Sequence, residues 1–158
     1  MKEMILSLQA KNNSSVISRV AGLFSRRGFS LSSIAGEGTH EPTLAKVIIS
    51  VTEKEASLMQ IRRQLEKLED INEVEVLDNE TDVVRELALI KVNVSAEFAT
   101  AIKDLTQKYH FTILDVNSKE AIFELCNKKE VIDEFIEEVR PYGICESVRT
   151  GVIALSSV

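Results

Sequence analysis

The sequence predicts an α+β protein made of two tandem βαββαβ sandwiches, and three observations carry that reading. Four segments repeat their apolar residues at three- and four-residue spacing, as amphipathic helices do. Strand-like alternating runs lie between them. The same order of elements then occurs twice, with a polar stretch, Asp78-Asn79-Glu80-Thr81-Asp82, as a natural boundary. The expected domains are 1–78 and 84–158. Each is a ferredoxin-like unit, an antiparallel sheet with two helices on one face. The opposite sheet face is left open to meet a partner, so a homodimer is expected.

The elements follow in order. Strands are expected over 4–10 and 30–35, flanking a helix from Ser15 to Arg27. Val16, Val20, Leu23 and Phe24 form that helix's stripe, widened by Ile17 and Ala21, and Gly28 supplies the stop. Gly36-Glu37-Gly38 reads as a hairpin-like turn. Strands at 44–51 and 74–77 flank a second helix, opened by Thr52-Glu53-Lys54-Glu55 in capping-box form and packed through Leu58, Ile61, Leu65 and Leu68. In the second half, strands are expected at 86–94, 112–116, 121–126 and 144–148. The third helix begins after Ser95, with Phe98, Ile102 and Leu105 inward. The fourth begins after Asn127, where Glu130 completes a second capping box, and ends at Pro141.

Composition narrows the function classes. A chain of 158 residues with net charge −6 lacks the basic footprint of a nucleic-acid binder. Neither half is basic, with 10 basic against 12 acidic residues through residue 80 and 9 against 13 beyond it. The ferredoxin-like fold also hosts RNA-recognition modules, which stack bases on aromatic residues of the central strands. Here Leu6-Ser7-Leu8 and the run from Leu44 to Val51 contain no aromatic residue. No apolar run is long enough to span a bilayer, and the opening MKEMILSLQAKNN has no signal-peptide core, so a cytoplasmic protein is expected.

Chemistry-bearing groups are sparse. No phosphate-binding GxxxxGK[ST] or GxGxxG occurs, and no histidine lies near Ser14, Ser15 or Ser18 to activate a nucleophile. His40 and His110 are far apart in sequence and read as loop or surface residues. Cys126 and Cys145 sit in alternating apolar segments and read as buried free thiols, not metal ligands. No catalytic or metal-binding residue is assigned.

Binding remains. The hinge Lys11-Asn12-Asn13-Ser14-Ser15 delivers a helix start straight off a strand. Unpaired N–H groups and the helix dipole suit a small carboxylate there. An amino acid fits such a seat, with its ammonium on backbone carbonyls and an apolar side chain against a subunit interface.

The residues then match a known pattern. Ser18-Arg19-Val20 with Gly22-Leu23-Phe24, Arg27-Gly28-Phe29 and Pro42-Thr43-Leu44 are followed by 64–68, 85–92 and Arg149-Thr150-Gly151. In this order and spacing the chain resembles the small regulatory subunit of acetolactate synthase (acetohydroxyacid synthase), whose N-terminal half is an ACT domain. The resemblance implies a non-catalytic subunit of branched-chain amino-acid biosynthesis. Such a subunit activates a large catalytic subunit and confers feedback inhibition by a branched-chain amino acid, usually valine. Thiamine diphosphate, magnesium and FAD belong to that partner. The effector is expected between the ACT domains of two small subunits, at the turn from first strand to first helix. That assigns effector contacts to Asn12, Asn13, Ser14, Ser15, Val16 and Ser30, with Asn12 matching the family's pocket asparagine.

Two departures fall in this pocket. The family commonly has glycine at Ser15 and asparagine at Ser30. A serine adds a β-carbon where backbone must approach a ligand, and Ser30 has one hydrogen-bonding arm fewer than asparagine. Further on, Ala45-Lys46 replaces the family's usual Ser-Arg. Activation of the large subunit is therefore expected more firmly than valine sensitivity. The alternatives are a stand-alone ACT-domain amino-acid-binding regulator of another enzyme or transporter, and a small ferredoxin-fold isomerase.

Overall fold

A computed structural model describes residues 2–158. The chain forms two compact units, one ending at Val84 and taking back Gly151–Val158, the other running from Arg85 to Thr150.

In the first unit the elements are β1 (Lys2–Lys11), α1 (Val16–Arg27), β2 (Leu31–Gly38), β3 (Leu44–Glu53), α2 (Glu55–Leu65) and β4 (Ile71–Leu77). The sheet order is β2-β3-β1-β4, antiparallel throughout. Leu6, Leu8 and Ala10 of β1 alternate inward with Val47, Ile49 and Val51 of β3, and meet the apolar stripes of both helices in one core. Helix α1 stops at Gly28, whose φ of +66° is the left-handed conformation open to glycine.

The second unit repeats the plan with β5 (Val83–Asn93), α3 (Ala96–Tyr109), β6 (Thr112–Val116), β7 (Glu120–Asn127), α4 (Lys129–Val139) and β8 (Ile144–Arg149). A 3-10 turn at Arg140–Tyr142, carrying Pro141, follows α4. The sheet order is β6-β7-β5-β8. Its core is richer in aromatic rings than the first: Phe98, Phe111, Phe123, Phe135 and Tyr109 interlock by edge and tilted contacts 4.9 to 5.6 Å apart. The α+β class and the doubled βαββαβ order are as expected.

Several local expectations are corrected. Neither capping-box helix takes the N-cap residue that its motif sets. Strand β3 stays paired with β1 through Thr52 and Glu53, so α2 starts one residue past an extended Lys54 with no side-chain cap. Strand β7 likewise pairs through Asn127, and Lys128 opens α4. In both places ladder hydrogen bonds hold the residues that the capping motif would have used. Ser95 does cap α3, accepting from Phe98 N at 3.1 Å.

Gly36 and Gly38 lie within β2, not in a turn. A β-carbon at Gly36 would sit 3.2 Å from Ile17 Cδ1, and one at Gly38 would sit 3.1 Å from Asn12 Nδ2. These glycines let α1 and its hinge approach the strand.

Cys126 and Cys145 are exposed, not buried. Ala121, Phe123 and Leu125 take the inward positions of β7, which leaves Cys126 on the open face. Cys145 falls where the β5–β8 register shifts and leaves the alternation. His40 and His110 are exposed, and His110 ends α3 at φ +53°.

A short strand that the pattern does not predict, β9 (Ile153–Leu155), pairs with β5 as a fifth strand off the order β6-β7-β5-β8, although its residues belong to the first unit's chain segment. Val152 and Ala154 close over Ile5, Ile48, Leu77 and Val84 in a second small cluster. The first sheet's outer face, expected open, is thus partly covered by the chain itself.

Candidate functional site

The hinge between β1 and α1 is held at its strand end by Lys11 and Asn12. Lys11 N donates to Asp70 O and Asn12 N to Thr43 O, each at 2.9 Å, and Asn12 Nδ2 donates to Pro42 O at 3.0 Å. The Pro42-Thr43 loop therefore forms one wall of the corner. Gly38, under Asn12, forms its floor.

Asn13 organises the helix start. Its Oδ1 accepts from Ser15 N at 3.0 Å and from Ser15 Oγ at 2.8 Å, while its Nδ2 donates to Asp70 Oδ1 at 3.3 Å. Ser15 adopts helical φ and ψ and gives no side-chain cap, so its hydroxyl is turned to Asn13 and not along the helix. Val16 N reaches Asn13 O at 3.4 Å, whereas the Val16 side chain is buried in the core. Val16 therefore offers the site only its backbone. Ser14 is exposed. The first turn of α1 carries no acidic residue, and Arg26 and Arg27 sit in its last turn. The positive end of the dipole is thus not offset from within the helix.

Asp70 is the residue that sequence reasoning missed. It is 8% exposed, ties Lys11 and Asn13 to the α2–β4 turn, and pairs through Oδ2 with Arg19 at 2.5 Å. No local motif marks it, because its partners lie more than fifty positions away along the chain. The one available signal was Arg19 within the stretch Ser18-Arg19-Val20, a cation one turn into a helix that begins without an acid.

The structure gathers Asn12, Asn13, Ser14, Ser15 and the Val16 backbone at this corner but places Ser30 elsewhere. Ser30 lies past Gly28 at the opposite end of α1, about 18 Å along the axis for twelve helical residues. Its N donates to Glu53 Oε1 at 3.1 Å. A cavity of about 580 Å³ between β1, α2 and the end of β4, lined by Lys2, Met4, Leu58, Met59 and Arg62 among others, shares no residue with the hinge. Among the described residues no cluster of His, Cys, Asp and Glu could hold a metal ion, and no helix is long and apolar enough to cross a membrane.

The stretch Arg149-Thr150-Gly151 also acquires a physical role. The Arg149 guanidinium takes both oxygens of the buried Glu86 carboxylate, at 2.9 and 2.7 Å, and reaches Asp133 at 2.5 Å. Thr150 exchanges hydrogen bonds with Leu87. Gly151, at φ +75°, turns the chain over Ser33, where a β-carbon would lie 2.7 Å from Ser33 Cβ.

Fold and hinge together define an ACT-domain protein with a second ferredoxin-like unit. Residues 6–73 match the AHAS small subunit-like ACT domain, and residues 85–158 match the family described as small subunit of acetolactate synthase. Curated relatives include the acetolactate synthase small subunit of Mycolicibacterium smegmatis, 33% identical over 96% of this chain and 89% of that protein. The isozyme 3 small subunit of Escherichia coli is 35% identical over 96% and 94%. The crystal structure of the Thermotoga maritima acetolactate synthase small subunit superposes with a TM-score of 0.89 at 32% identity, covering 100% of this chain and 99% of that one. The chain belongs to the acetolactate synthase small-subunit family.

Proposed function

We propose that this chain is a non-catalytic regulatory subunit that binds the large subunit of acetolactate synthase, raises its activity and carries its feedback control in branched-chain amino-acid synthesis. The observation that carries the reading is the match over nearly the whole chain, in sequence and in fold, to small subunits of that enzyme. Thiamine diphosphate, magnesium and FAD are assigned to the large subunit, and the setting is cytoplasmic. The test is reconstitution. Adding the chain to its cognate large subunit raises acetolactate formation, and an unchanged rate sinks the assignment.

The first unit is the effector-binding domain in this reading, and the chain acts as a homodimer. The effector carboxylate meets the α1 start between two first units, beside Asn12, Asn13, Ser14 and Ser15, with Ser30 facing the ligand from a partner copy. Support comes from the helix start free of acidic residues and from the walls set by Pro42, Thr43 and Gly38. Feedback of this kind needs a coupling of only about 1–3 kcal/mol between effector and partner sites.

Valine is the first effector to test, and its binding is expected to be weak or altered. The Ser15 hydroxyl already donates to the Asn13 side-chain Oδ1, and its β-carbon stands where the family commonly has glycine. Calorimetry with valine, leucine and isoleucine decides this. Tight valine binding by the natural chain refutes the expectation, and recovery in Ser15→Gly with Ser30→Asn supports it.

A further inference from the structure

Asp70 stands where three segments of the first unit meet. It lies in the turn between α2 and β4, and its backbone O accepts from Lys11 N at the end of β1. Its side chain is turned to the start of α1. There Oδ1 accepts from Asn13 Nδ2 at 3.3 Å, and Oδ2 meets Arg19 Nη1 at 2.5 Å. The Asp70 side chain is 11% exposed and that of Arg19 52%, so the pair has a buried acidic half and an open basic half.

Helix α1 sets the place of Arg19. Its N donates to Ser15 O at 2.9 Å, which closes the first turn. Helical side chains lean toward the N-terminus, so the guanidinium comes back to the hinge. The corner thus holds one positive and one negative group beside a helix start with no acidic residue in its first turn.

Those two charges decide what the corner accepts. Backbone N–H groups and the helix dipole favour any carboxylate. Arg19 strengthens that attraction, but taking up a carboxylate means sharing or leaving Asp70. A simple anion then deprives a buried carboxylate of its counter-charge and sets a second negative charge beside it, the costly case for an ion pair out of water. A simple amine has the opposite fault, since it takes Asp70 from Arg19 and adds a cation at the positive helix end. An amino-acid zwitterion does neither. Its carboxylate meets Arg19, its ammonium meets Asp70, and one ion pair becomes two with no charge left over.

Resting on the effector reading of this corner, we propose that the Arg19–Asp70 pair is its zwitterion selector. Asp70 binds the effector ammonium, Arg19 binds its carboxylate, and acids or amines with the same side chain are rejected. Asn13 joins the pair to the helix start, because its Nδ2 bonds Asp70 while its Oδ1 bonds Ser15 N.

The test is an NMR shift titration of the full chain with valine, with isobutylamine and with the α-keto acid that carries valine's side chain. Valine is expected to bind at least roughly tenfold more tightly than either analogue, since each analogue leaves one charge of the pair without a partner. That preference is read on the natural chain and needs no variant to fold. Asp70→Asn keeps an acceptor for Asn13 and removes the charge, so the advantage of valine over the keto acid falls to within roughly threefold. Arg19→Gln instead removes its advantage over isobutylamine. A merely structural pair lowers all three affinities together and leaves their ratios unchanged, and that result overturns the proposal. A natural chain that binds the keto acid as tightly as valine, or responds to none of the three, overturns it as well. Valine bound with unchanged ratios refutes the selector alone, whereas no response refutes the effector reading with it.

Discussion

At the scale of residues, the most consequential side chains are charged groups that join distant segments. Arg149 is the clearest. Its guanidinium supplies the buried Glu86 carboxylate with two charge-assisted hydrogen bonds. Arg149→Ala strands that carboxylate, so a loss of about 3–5 kcal/mol is expected in chemical denaturation followed by circular dichroism. Arg140→Ala removes an exposed i,i+3 pair with Glu137 and is expected to cost less than about 1 kcal/mol. Equal losses would mean that burial does not decide the value of these pairs. The cysteines give a second check at this scale. Both face solvent, so two thiols per chain are expected to react with a thiol reagent in the folded protein. Cys145 is expected to react slowly below pH 9, since desolvation of its sulfur, then the neighbouring Glu120, holds its pKa above the ordinary value of 9.0. Two unreactive thiols would restore the buried reading.

At the scale of elements, tertiary pairing displaced local signals. Both capping-box motifs are intact in sequence, yet each begins inside a strand that its neighbour holds one or two residues longer. A cap contributes about 1 kcal/mol, and continued ladder pairing with its packing outweighs it. The same scale governs the response to acid. On the outer sides of α3 and α4, Lys108 bonds Glu134 at 2.8 Å and also bonds Glu138, and Arg140 bonds Glu137. Hydrogen bonds from Lys108 lower the pKa of Glu138, and those from Arg140 lower that of Glu137, below the ordinary 4.5. A carboxylate depressed in the folded state contributes stability above its unfolded pKa and loses it as pH falls through the folded value. Stability is therefore expected to decline from about pH 4.5 downward, and less steeply at 1 M salt, where exposed pairs are screened. Thermal melts at pH 6, 4.5 and 3.5 in low and high salt measure this. A salt-independent acid slope excludes these pairs as its cause.

At the scale of the whole molecule, the two ferredoxin-like units are not two consecutive pieces of chain. The second is an excursion from the first, and Gly151–Val158 return to the first unit, where Val152 and Ala154 pack on Ile5, Ile48 and Leu77. Ending the chain after Thr150 removes Val152 and Ala154 from that face. The first unit is then expected to lose about 2–3 kcal/mol, the scale for one valine with a smaller neighbour, and the pairing of β9 with β5 is lost as well. Hydrogen exchange assigns the loss to one unit or the other, and a loss confined to the second unit contradicts this prediction. Much of the architecture was legible because amphipathic periodicity reports which face of an element is buried, and eight strands and four helices follow from it. The hinge at Asn12 to Ser15 was legible for the same reason, as a polar break between two apolar patterns. The rest was not. Asp70 acts on partners far along the chain, the glycines of β2 answer to Ile17 and Asn12 across the fold, and β9 is too short for a period to appear. The sequence by itself determined the doubled βαββαβ order, its two cores and the family to which the chain belongs, because those rest on patterns repeated over many residues. Only the tertiary structure decided where the helices begin, which cysteines meet water and where the C-terminal segment lies, because each depends on a single long-range contact outweighing a local preference of about 1 kcal/mol.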